Sequence, residues 1–318
     1  MRRDGVIVAP PPFILARHSD KLVPGPASAW SSSVRWKDLR RSSNVRDVRG
    51  AGGGRVPMRI GRGGIGGGLG GLVILVLVLI FGGPEAVLQL LGGGGGGAPT
   101  AEDGRPLTAN DETSDFVARV LGSTEDVWGD LFRQQGQAYQ APELFVFGGA
   151  VNSACGYASS ASGPFYCPGD RRVYLDTSFF NQLAQMGGPG DFAAAYVIGH
   201  EVGHHVQNLQ GTANQVRGAQ QRASEADANR LQVAMELQAD CFAGVWAYHA
   251  NRTTSVLEPG DVEEGLGAAE AIGDDTLQRN AGRGVTPDSF THGSSADRQR
   301  WLSTGLRSGD PSACNTFN

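Results

Sequence analysis

The sequence predicts an α+β fold, mostly helical, with a small β-sheet and one transmembrane helix ahead of it. Three observations lead there. Residues 191–211 and 224–249 carry apolar positions at helical period, 144–147 and 172–176 are short β-branched and aromatic runs, and 63–84 holds no charged residue. The 48 glycines, many of them in runs before residue 100, leave one folded domain as the count for 318 residues. The expected division is a disordered basic region at 1–62, a transmembrane signal anchor at 63–84, a Gly-rich linker at 85–109 and the folded domain at 110–318.

The formal charge of -5 conceals an asymmetry, since residues 1–62 carry 13 Lys+Arg against 4 Asp+Glu while the remainder is strongly acidic. A basic flank before an apolar span predicts membrane orientation, with the N-terminus cytoplasmic and the domain extracytoplasmic. Nucleic acid is excluded as a partner because the positive charge lies on an unfolded flank with few interleaved aromatics. A basic stretch before a short apolar core is also the pattern of a cleaved signal peptide, so the anchor has that alternative. Residues 1–33 show no periodicity able to bury a face, and Val34 reads as a natural start of the chain.

Within the domain, residues 115–121 and 127–132 read as two amphipathic helices split near Gly122. The strands at 144–147 and 172–176 flank a Gly/Ser/Ala-rich loop bearing Cys155 and Cys167. The second strand is either an edge that pairs with extended substrate or plain core sheet. Four cysteines in an exported domain suggest two disulfides. Of three possible pairings, proximity favours Cys155 with Cys167, which leaves Cys241 with Cys314. No C-x-x-C pair suggests a cysteine zinc site.

The stretch 191–211 contains His200-Glu201-Val202-Gly203-His204. Histidines four apart project from one helix face about 6 Å apart, within reach of one tetrahedral ion. Glu201, beside the first ligand, is placed to take a proton from a water activated by that ion. Gly190-Asp191 offers the helix an N-cap and Gly211 a stop. His205 points more than a quarter-turn away from His204 and is not expected to be a ligand.

A third ligand should come from another helix. Ser224 with Asp227 forms a capping-box-like start, and the stripe from Leu231 to Trp246 runs on to about His249. Within it Glu236 and Asp240 share one face, and such a carboxylate pair in apolar surroundings is costly unless a cation meets it. Glu236 is therefore the expected third ligand. Asp240 is expected to orient a ligand histidine through its other ring nitrogen. Two imidazoles and a carboxylate make Zn2+ the first choice of ion.

Residues 261–279 read as one further structural helix. A last helix, capped by Ser294 or Ser295, runs to about Leu306. The loop before it carries His292, which either donates to the oxyanion of a tetrahedral intermediate, with Arg298 fixing it or sharing the charge, or merely caps and packs.

These segments resemble the bacterial family described as "putative neutral zinc metallopeptidase". The residues carrying the resemblance are at 155–156, 163–168, 173–176, 190–207, 236–241, 272–278 and 290–295, and it extends from about Val34 to the end. It implies a zincin-like HExxH metallopeptidase domain. More distantly the chain is similar to membrane metalloproteases of the CAAX-prenyl and heat-shock type, which pair HExxH with a later Glu-x-x-Ala-Asp and a His followed six residues on by Arg. That similarity implies Glu236 as ligand and His292 as oxyanion donor, in agreement with the reading from helix faces.

The resulting expectation is a single-pass, membrane-anchored zinc metallopeptidase acting on a peptide or protein substrate. Its ligands are His200, His204 and Glu236, with Glu201 as base. The alternative of another class is a zinc-stabilised extracytoplasmic binding or scaffolding module without peptidase activity. The sequence leaves oligomeric state open.

Overall fold

The computed structural model describes residues 34–49, 104–107 and 111–317. Helix α1 (Glu112–Gln134) opens on Asp111, whose carboxylate accepts the Ser114 N–H at 2.7 Å. It runs unbroken through Gly122, so the two helices expected around that residue are one. Gly122 serves a close approach instead of a stop, because a Cβ there would come within 2.1 Å of the Arg40 carbonyl oxygen.

Seven short strands follow the alternation of the sequence: β1 (Val45–Asp47), β2 (Arg105–Pro106), β3 (Glu143–Phe147), β4 (Ala150–Ser153), β5 (Gly156–Ser159), β6 (Phe165–Cys167) and β7 (Arg172–Asp176). The main sheet has the order β2-β1-β3-β7-β6, with β1, β3 and β7 parallel. Alternate residues leave opposite faces. Leu144, Val146, Val173 and Leu175 enter the core shared with the helices, whereas Phe145, Phe147 and Tyr174 pack with Val151 and Ala158 of the β4–β5 hairpin.

The order decides one alternative, in favour of core sheet for β7, and corrects one expectation. β7 lies between β3 and β6 and is not an edge, so the exposed edge on that side of the sheet is β6. Residues 34–49 are not a disordered flank, and the linker at 85–109 includes a strand. Val34, Trp36, Leu39, Val45 and Val48 are buried, β1 pairs with β3, and β2 pairs with β1. These apolar residues follow no single period among the arginines, and they are buried by segments far off in sequence, Val48 with the β4–β5 hairpin and Trp36 against Phe116 of α1. The anchor at 63–84 lies outside the described residues, and no described helix is long and apolar enough to cross a membrane.

The remaining helices are α2 (Ser178–Met186), α3 (Asp191–Leu209), α4 (Thr212–Gln220), α5 (Glu225–Thr254), α6 (Asp261–Ala271), α7 (Asp274–Asn280) and α8 (Ser295–Ser308). The single helix expected over 261–279 is thus α6 and α7. The chain turns at Gly273, where ψ is 141°, and the Asp274 N–H bonds the Gly293 carbonyl.

α3 and α5 cross in the core, and α8 lies along α5 through glycines. A Cβ on Gly305 would sit 2.0 Å from the Cys241 carbonyl, and one on Gly244 would sit 2.3 Å from that of Leu302. This contact carries α8 close enough for its first turn to reach the middle of α5. Both disulfides, Cys155–Cys167 and Cys241–Cys314, are formed, the second tying the C-terminal residues to α5.

Candidate metal centre

On α3 the four-residue spacing turns His200 and His204 to the same side, and α5 crosses beneath them carrying Glu236. The Glu236 Oε2 atom lies 3.2 Å from His200 Nε2 and 3.5 Å from His204 Nε2. One donor atom from each of the three falls within 4.8 Å of the others. Tetrahedral zinc with ligand bonds near 2.0–2.1 Å spaces its ligands by about 3.3–3.5 Å, so the donors already stand close to coordination distance.

The other ring nitrogens support the same reading. His200 Nδ1 lies 2.7 Å from Asp240 Oδ1, and His204 Nδ1 lies 2.9 Å from Gln207 Oε1. Gln207 is itself oriented, since its amide donates to the Met235 carbonyl and to Gln238 Oε1, leaving its oxygen to accept from His204. Each imidazole can thus donate outward from Nδ1 and turn the Nε2 lone pair toward the centre. The donor set fits one divalent cation.

Asp240 is fully buried and serves three partners: His200, the Tyr196 hydroxyl at 2.6 Å and the Arg298 guanidinium, whose Nε and Nη2 each donate at 2.9 Å. Burial opposes the Asp240 charge, but Arg298 and His200 hold its carboxyl below the usual range. Arg298 therefore braces Asp240. It neither fixes His292 nor points its charge at a substrate oxygen, because its side chain is spent on Asp240, Tyr196 and the Ile272 carbonyl.

Burial also opposes protonation of His200, yet the Asp240 and Glu236 carboxylates raise it to about 10. His204 is raised as well, burial being outweighed by Glu236. The Glu236 carboxyl, which burial alone would push up, is held well below its ordinary value by the two imidazoles. A cation entering here displaces those protons, so its affinity rises with pH.

Glu201 is buried, and desolvation pushes its carboxyl up despite the neighbouring imidazoles. The backbone of Tyr166, on edge strand β6, lies near enough to act against that rise. His292 is held from behind by Asp274, which accepts its Nδ1 at 3.1 Å and the backbone N–H groups of Thr291, His292 and Gly293. Its imidazole is near enough to Glu236 to help stabilise that carboxylate.

His205 lies outside the cluster, as its angle on the helix predicts. Its Nε2 bonds the Gln140 carbonyl at 2.6 Å and its Nδ1 the Tyr166 hydroxyl at 3.1 Å. Burial lowers its pKa from 6.5 to about 4. Between those values the unfolded chain binds a proton that the folded chain does not, so His205 contributes stability above pH 6.5 that is lost as pH falls toward 4. The expected loss is about 2–3 kcal/mol. Urea unfolding at about pH 7 and about pH 4 should show a smaller acid loss for His205→Gln than for wild type; equal losses would refute this assignment.

Gln207, Tyr196 and Asp274 were not foreseen from sequence. The first two had a usable signal, since Gln207 follows His204 by three residues and Tyr196 precedes His200 by four. Asp274 had none, because only the turn at Gly273 carries it under the His292 loop.

Fold and site together define a mostly helical α+β protein with a His-His-Glu constellation for one divalent cation and a buried glutamate beside it. The chain belongs to the family described as "Putative neutral zinc metallopeptidase", whose model matches residues 34–317. It is 47% identical over 287 residues to "Uncharacterized protein YpfJ" of Escherichia coli strain K12, covering 89% of this chain and 99% of that protein. It is 43% identical over 215 residues to "Uncharacterized protein Rv2575" of Mycobacterium tuberculosis, covering 64% of this chain and 70% of that one. No solved structure matches.

Proposed function

We propose that this chain is a zinc-dependent metallopeptidase that hydrolyses peptide bonds in a polypeptide substrate. The single observation that carries the reading is the convergence of His200, His204 and Glu236, with both imidazoles oriented from behind and the buried Glu201 within range of their charges. His200, His204 and Glu236 would hold the ion, which when bound supplies Lewis-acid polarisation of the scissile carbonyl and lowers the pKa of the attacking water.

Glu201 accepts the water's proton and returns it to the leaving amine, a task for which its raised pKa suits it. His292 donates to the developing oxyanion, its Nδ1 anchored on Asp274 so that Nε2 faces the site. An extended substrate pairs with the edge of β6, the strand whose backbone at Tyr166 lies near Glu201. The proposal includes attachment to a membrane through the apolar run at 63–84. The two disulfides support placing the domain on an oxidising, extracytoplasmic side.

The test uses the full-length protein, scored for bound zinc and for cleavage of an unfolded, dye-labelled protein. Stoichiometric zinc is expected, with activity lost to a chelator and restored by zinc. Well-folded protein that takes up no zinc would overturn the reading, and zinc without cleavage would favour a zinc-stabilised binding module.

Asp274 offers a separate check on His292. Asp274→Ala should lower kcat by roughly 10–100-fold with little change in KM and full zinc content, and Asp274→Asn should recover part of it. An unchanged kcat in Asp274→Ala would leave His292 a packing residue.

A further inference from the structure

Strands β1 and β2 are antiparallel neighbours, with Asp47 opposite Arg105 and Arg46 opposite Pro106. Residues 48–104 therefore form a single connection that leaves the sheet and rejoins it at adjacent positions. The apolar run at 63–84 lies inside that connection.

The chain ahead of it is fastened to the domain at several separate places. β1 is flanked on its other side by β3, Val45 opposite Leu144 and Asp47 opposite Val146. The Val34 N–H donates to the Asp191 carboxylate at the first turn of α3, and the Arg35 N–H donates to the Val256 carbonyl just after α5. Trp36 packs edge-on against Phe116 at 5.5 Å, and Arg40 bonds both Glu125 and Asp126 of α1.

A segment that crosses a bilayer once leaves its two flanks on opposite faces of about 30 Å of hydrocarbon. Adjacent strands lie about 4.8 Å apart. One chain cannot satisfy both. Only a path that returns to the face it started from leaves both flanks on one side.

We propose that residues 34–49 and 104–317 lie on the same side of the membrane, so that the connection between them does not pass through it once. This replaces the single-pass orientation that the basic flank predicts. Carrying residues 34–49 to the opposite face would strip β1 and β2 from the sheet, expose the edge of β3 and unbury Trp36, Leu39 and Val45. The inference does not depend on the peptidase reading.

Labelling of single cysteines in the full-length chain in its native membrane tests it. All four native cysteines are in disulfides, so the wild type provides the blank. Lys37→Cys and Arg133→Cys place thiols at side chains that are 69% and 75% exposed, on either side of the connection in sequence. A membrane-impermeant maleimide should label both in intact cells or neither, and both fully after the membrane is opened. Labelling of one but not the other in intact cells would overturn the common side. Recovery of the chain only in the soluble fraction would overturn the membrane attachment that a common side presupposes, and zinc content measured on the same samples reports the metal centre separately.

Discussion

Glu201→Gln will retain stoichiometric zinc and lose roughly 10²–10⁴ of the peptidase rate. The substitution keeps size and shape in a buried position, and it removes the carboxylate proposed to take the proton from water. The neutral amide also avoids the desolvation that burial imposes on the carboxylate, so the fold around it should hold. His204→Ala, by contrast, removes a ligand and should lose both zinc and activity. Metal analysis and a cleavage assay on the two variants separate the roles. A Glu201→Gln protein that cuts at the wild-type rate would end the proposed mechanism, whatever its zinc content.

The second large effect is on stability. Asp240→Ala should cost about 3–5 kcal/mol, the range for removing one partner of a buried ion pair. The Arg298 side chain is 3% exposed and would remain charged with its main acceptor gone. Tyr196 and His200 lose the same carboxylate, so zinc affinity should fall by about 10–100-fold as well. The double replacement Asp240→Leu with Arg298→Met should cost less than Asp240→Ala alone, because no uncompensated charge stays inside. Denaturant unfolding with the disulfides kept oxidised measures both. A loss under about 1 kcal/mol for Asp240→Ala would mean that solvent reaches Arg298 and that the network contributes little.

These two predictions rest on different kinds of legibility. The relation between His200, Glu201 and His204 follows from a helix repeat of 3.6 residues, and so does the shared face of Glu236 and Asp240. That α3 and α5 cross where these faces meet was an inference from chemistry, since a buried carboxylate pair demands a cation or donors. Asp240 has both kinds of partner, for it accepts from His200 and also from Arg298 and Tyr196. The contact of Arg298 with Asp240 is not legible in sequence, because a position six residues after His292 says nothing of which way α8 faces. The glycine contact between Gly244 and Gly305 decides that, by letting α8 approach α5 until Arg298 reaches Asp240.

The same division holds for the whole chain. By itself the sequence determined the mostly helical class, the shared faces of His200 with His204 and of Glu236 with Asp240, the cap at Ser224, and a cap for the last helix at Ser294 or Ser295. All are local, set by side-chain period and by backbone groups a few residues apart. Only the tertiary structure decided that α1 continues through Gly122, that β6 and not β7 is the edge, that Asp274 stands behind His292, and that residues 34–49 belong to the sheet. Each depends on pairing between segments far apart in sequence, where a strand of three residues carries too little pattern to name its neighbour. β1 is the clearest case: its place between β2 and β3 comes from the surfaces they present, and that placement puts both flanks of the apolar run in one sheet.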